Sequence, residues 1–149
     1  MLSIRLVQLV AAHWEEIAKR VSAQLRQNPE TPTLAQRPDA ELTAWCRDLL
    51  ENMETLLGTR REEQFQRLLR IEGQRRYEEH IPLHEAVMRL QILKAEIFNF
   101  IHEQGFAMTI LELYREEELQ ALAGRFFDGC VYQLVRGYED AMRVAARVA

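Results

Sequence analysis

The sequence predicts an all-α fold. Apolar residues recur at intervals of three and four along five segments, no segment alternates apolar and polar residues over a useful length, and proline or glycine punctuates the breaks. At 149 residues the chain is about one domain long. A domain of that size buries roughly 70% of its unfolded surface, enough for a core of its own. The expectation is a single bundle-like helical domain over residues 1–149, with about five to six helices and a long C-terminal one.

The first helix is expected from Ser3 to Arg26, where Val7, Val10, Trp14, Ile17, Val21 and Leu25 form one continuous stripe. The stretch NPETPTLAQRP then carries Pro29, Pro32 and Pro38, whose missing amide protons and fixed φ stop a helix. Asp39 is placed to cap the second helix, with Leu42, Trp45, Leu49, Met53 and Leu56 as its stripe and Gly58 as a left-handed stop. A third helix runs from Thr59 or Arg60 to about Tyr77 on Phe65, Leu68, Leu69 and Ile71, weakened in its last turn by Gly73. Pro82 resets the chain, and a fourth helix follows on Leu83, Val87, Leu90, Ile97 and Ile101 until Gly105. Phe106, Met108, Ile110 and Leu111 read as a short apolar linker. The last helix starts at Leu113 or Tyr114 and carries Leu119, Leu122, Phe126, Cys130, Leu134, Tyr138, Ala141, Ala145 and Val148 at helical intervals. Gly124, Gly129 and Gly137 lie inside it. Each costs about 1 kcal/mol relative to alanine, so their presence predicts close backbone packing or a kink.

Charge and cysteine usage narrow the class. The formal charge of −4 comes from 19 basic and 23 acidic residues mixed along the chain, which leaves no basic footprint for nucleic acid. Cys46 and Cys130 are single and far apart, as in reduced cytoplasmic proteins. The opening MLSIRLVQLVAAHWEEIAKR reads as helix rather than signal, and no apolar run reaches the roughly 18–20 residues of a membrane span.

The stretch RRYEEHIPLHEAVMRL raises the question of a metal or haem site. Zinc on a helix needs two histidines one turn apart on one face, as in H-E-x-x-H, but after His84 and Glu85 the partner position is Met88. His80 is separated from His84 by Pro82 and precedes the helix. Haem needs only one helical histidine in an apolar pocket, so His84 and His102 are the candidate ligands, with His13 a further helical histidine. No glutamate stands three residues before a histidine, as di-iron bundles require. Phosphate-binding glycine loops and a nucleophile elbow are absent, and Ser3 and Ser22 have no recognisable partner. The reading is a non-enzymatic chain with no metal and no cofactor.

Two stripes are candidates for contacts beyond the chain itself. Val7, Val10, Trp14, Ile17 and Val21 extend over more length than the middle helices readily cover, which makes them a self-association candidate. The final helix stays apolar to Val148, with Arg136, Arg143 and Arg147 on other faces, as expected of a helix that pairs with a copy of itself or continues into a linker. Its Tyr138, Ala141 and Ala145 are the candidate relay positions. Trp45, Phe126, Phe127 and Cys130 are the candidate core pocket.

The segments ELYREEELQALAGRFFDGCVYQLVRGYED, YEEHIPLHEAVMRLQILKAEIFNFI and HWEEIAKRV together resemble the N-terminal domain of RsbR-type regulators, the RsbT co-antagonists of bacterial stressosomes. The same kind of domain also precedes some histidine kinases. The resemblance covers nearly all of the chain and rests on helix order and patterns such as IPLHEAVMRL and FFDGCVYQLVRGYE. It implies a globin-like or bundle-like sensor domain that dimerises, often without haem. Such a domain passes a stress signal down its last helix to an output module of STAS or histidine kinase type. The 149 residues hold no such module, so the domain is expected to be excised from a longer protein or to act on a partner protein. The alternative function is a haem- or small-ligand-binding globin-type sensor.

Overall fold

A computed structural model describes residues 4–58, 62–104 and 110–148, with side chains for all of these except 4–6, 56–58, 62, 110–120 and 122–123. The described residues form seven helices and no strand: α1 (Ile4–Ala12), α2 (Trp14–Gln27), α3 (Pro32–Ala35), α4 (Asp39–Gly58), α5 (Glu62–Glu78), α6 (Leu83–Glu103) and α7 (Ile110–Val148). The all-α expectation holds. The expected stop at Gly105 and the linker residues Phe106 and Met108 lie outside the described residues, while Ile110 and Leu111 already belong to α7.

The expected first helix is two. His13, with φ −110° and ψ 29°, breaks the helical path; its Nδ1 donates to the Leu9 carbonyl at 3.0 Å and its carbonyl accepts the Ile17 amide. The break re-aims the chain without leaving its own polar groups unpaired. The proline-rich loop contains one more turn of helix, α3, whose exposed amides find a distant partner. Oε1 of Glu85 accepts the Thr33 and Leu34 N–H groups at 2.8 and 3.0 Å, while the Thr31 hydroxyl turns away to donate to the Leu25 carbonyl at 2.8 Å. Asp39 is not the cap of α4. The Leu42 amide bonds to the Pro38 carbonyl, and the Asp39 carboxylate instead pairs with Arg26.

Helix α5 ends at Glu78, and two residues on His80 has a left-handed φ of 61°. The Ile81 amide reaches back to the Arg76 carbonyl at 3.0 Å and the His80 amide to Tyr77, a Schellman-type stop with Ile81 buried just beyond it. His80 therefore occupies a position that glycine usually fills.

The helices fall into two groups. Helices α1, α2, α4 and α6 surround the first, with Ile17, Val21, Leu25, Leu42, Leu50, Leu90 and Leu93 essentially inaccessible in one continuous core. Arg20 ties α2 to α6 by donating to both Glu103 carboxylate oxygens at 2.6 and 3.0 Å, and it also reaches Glu16 at 2.8 Å. The second group is α5 on α7, the most extensive helix pair in the fold. Phe65 stacks on Phe126, Gln66 lies beside Gly129 and Arg70 beside Gly137, so both residue numbers rise together along the seam and the two helices run parallel.

Glycine makes that pair possible. A Cβ on Gly73 would stand 2.0 Å from the Leu134 carbonyl oxygen, and one on Gly137 would stand 1.8 Å from that of Arg70. The two backbones touch here without intervening side chains. Gly137 thus meets the expectation of close backbone packing, whereas a Cβ on Gly124 would meet nothing within 4 Å.

Candidate functional site

The buried face of α6 is not the expected one. Leu90 and Ile97 are buried as anticipated, but Leu83, Val87 and Ile101 are only half-buried, and Glu85, Arg89 and Glu96 lie inside the buried stripe beside Ala86, Leu93 and Phe100. A buried guanidinium loses its hydration, a cost of several kcal/mol unless other groups offset it. Arg89 is 3% exposed, and its guanidinium carbon lies 4.1 Å from the centre of the Trp45 ring. Its charge meets the negative face of that ring. No carboxylate among the described residues lies within ion-pair distance of it, and its Nε has no hydrogen-bond partner. Burial first, then neighbouring Arg76, pulls the guanidinium down to about 10. Burial has the opposite effect on the adjacent Cys46 thiol, pushed up to about 12 despite the Arg89 charge. Cys46 is thus an uncharged core residue.

Trp45 connects this buried charge to a groove of about 560 Å³ between α4 and α5. Its indole N–H donates to Glu72 at 3.2 Å. Arg76 lies on the same floor, only loosely paired, 3.7 Å from Glu72 and 3.5 Å from Glu79, and its Nε also has no hydrogen-bond partner. The mouth of the groove carries exposed Glu41, Asp48 and Glu51. Of the four expected pocket residues, only Trp45 lines this groove. Phe126, Phe127 and Cys130 are packed core, Phe126 stacked on Phe65 at 5.3 Å and set edge-on to Phe127 at 5.5 Å.

The candidate dimer stripe at the N-terminus is corrected by its burial. Val7, Val10, Ile17 and Val21 are buried in the chain's own core against α4 and α6, and Trp14 is half-buried with Arg47 over its ring at 5.8 Å. These residues present no continuous outer face. Tyr138, a candidate relay position, anchors α7: its hydroxyl donates to the Ile81 carbonyl at 2.8 Å and its ring meets Tyr77 edge-on. The neighbouring Asp140 accepts both Nε–H and Nη2–H of Arg70, which holds its carboxyl below the usual range.

Past this anchor α7 loses its cover. Ala141, Val144, Ala145 and Val148 line a shallow groove of about 460 Å³ beside Gln74, Tyr77 and Glu78. Met142, Val144 and Val148 are 47%, 59% and 83% exposed. The haem candidates His84 and His102 are exposed near opposite ends of α6, roughly 27 Å apart along its axis, and neither lies in an apolar pocket.

Sequence reasoning missed Arg89, Arg76, Glu72 and Glu85. The available signal was positional: Glu85, Arg89 and Glu96 fall at helical intervals with Ala86, Leu90, Leu93 and Ile97, so charge interrupts an apolar stripe. No helix among the described residues is long and apolar enough to cross a membrane. No family model matches the chain, and no curated protein or solved structure matches it either.

Proposed function

We propose that this chain is a non-enzymatic signalling domain of the RsbR-type sensor class, which forms a homodimer and passes a signal through the end of α7 to an output module or partner protein. The observation that carries the reading is the contrast along α7. The helix is 39 residues long, about 58 Å, and is held to α5 at backbone distance as far as Tyr138 and Asp140. Its last two turns then present an apolar stripe to the outside. A rigid helix with an uncovered end can couple packing inside a domain to whatever covers that end. The segments that resemble stressosome regulators include this helix and support the same assignment.

The test is the mass of the purified protein by light scattering across a dilution series. We expect twice the 17.5 kDa chain mass, falling toward the single-chain value on dilution. A single-chain mass at every concentration would remove the homodimer from this reading.

The α4/α5 groove favours a small-ligand form of sensing over a haem form. Trp45 and the largely buried Arg76 line the groove, whereas the candidate axial histidines are exposed. An absorption spectrum with a Soret band that tracks the protein peak would reverse that preference.

A further inference from the structure

We propose that the groove between α4 and α5 binds a small aromatic carboxylate, its ring against Trp45 and its carboxylate on Arg76, with Arg89 behind the indole supplying the second positive charge. The proposal rests on the sensor reading only for what binding would signal; the binding itself is tested apart from dimerisation.

Three observations converge on this floor. After burial, the nearby Arg76 charge is what most disfavours that of Arg89 behind the groove, and an anion bound on Arg76 would relieve it. Each keeps a buried Nε–H with no acceptor, and a planar guanidinium presents its N–H groups in the fork that a carboxylate matches. The acids already present do not fill this role. Glu72 is shared between the Trp45 indole and Arg76, and both of the Arg76 ion pairs are 3.5 Å or longer.

Trp45, 8% exposed, contributes the accessible part of its indole to the groove, whose volume of about 560 Å³ is that of a small-molecule site. Glu41, Asp48 and Glu51 at the mouth are exposed, so water and salt screen them over about 8–10 Å. The arginines beneath are screened far less. A ligand of this class would thus enter past a weak negative rim and find its counter-charge at the bottom.

The test uses Trp45 itself as reporter. In a Trp14→Phe background Trp45 is the one remaining tryptophan, and benzoate is the probe, with benzylamine as a cation of the same shape. We expect benzoate to quench the fluorescence saturably at about 1 mM or below, and Arg76→Gln to weaken binding roughly tenfold with helicity and melting unchanged. Arg76→Lys, which keeps the charge but loses the fork, should fall between the two. Quenching that rises linearly with benzoate, an affinity indifferent to Arg76→Gln, or tighter binding of benzylamine than of benzoate would each overturn the proposal.

Discussion

The first and last helices of this chain carry similar apolar stripes and meet opposite fates. Val7, Val10, Ile17, Val21 and Leu25 are covered completely by α4 and α6, whereas the stripe of α7 is covered through Leu134 and Tyr138 and then runs on to Val148 in the open. The periodicity of an amphipathic helix says that a face wants cover. It does not say whether the cover lies in the same chain.

The difference is one of reach. At His13 the N-terminal segment bends, which lets two short helices follow the surface of the core where one straight helix of six turns would overshoot it. Helix α7 runs unbroken to Val148, whereas its partner α5 stops at Glu78. The last turns of α7 therefore run past the end of α5 and keep an exposed apolar face.

This contrast can be broken first in the N-terminal region. Leu25→Ala, at a position with no exposure, should cost about 3–4 kcal/mol in chemical denaturation. The anchor of α7 comes next. Gly137→Ala should cost about 3 kcal/mol, because its methyl group would meet the Arg70 carbonyl and the two backbones must part. Gly124→Ala on the same helix meets open space and should instead stabilise by about 0.5–1 kcal/mol. If the two glycines respond alike to alanine, the close backbone seam is wrong.

Smaller effects sharpen the comparison. Tyr138→Phe should cost about 1 kcal/mol, since the Ile81 carbonyl loses its donor. It should also speed hydrogen exchange at the end of α7 more than in α2, because the contact belongs to the anchor alone. His80→Gly should stabilise by about 0.5 kcal/mol through relief of the left-handed φ, offset in part by the greater freedom of glycine in the unfolded chain. A loss of stability on that substitution would mean that the His80 ring contributes more than its backbone costs.

Much of the fold was legible because period and punctuation act locally. Pro82 and the stripe of α4 mark their elements from nearest neighbours alone, and three glycines in one helix correctly pointed to a close approach at Gly137. The site was less legible because its parts lie far apart in the chain. Glu85 caps a turn of helix 51 and 52 residues away, and Trp45 meets Arg89 from another helix. His80 shows the same limit: its place before a helix is legible from Pro82, but the left-handed φ that makes it a helix stop emerges only from the backbone. The N-terminal stripe misled because coverage depends on packing that periodicity does not encode.

The most direct test of the account compares the mass and melting temperature of two charge variants, Val144→Glu with Val148→Glu on α7 and Val10→Glu in α1. The α7 double variant should keep its melting temperature at low concentration but become a single-chain species by light scattering. Val10→Glu should lower the melting temperature by disrupting the chain's own core. A dimer that survives both changes in α7 would contradict the assignment of that open end as the interface.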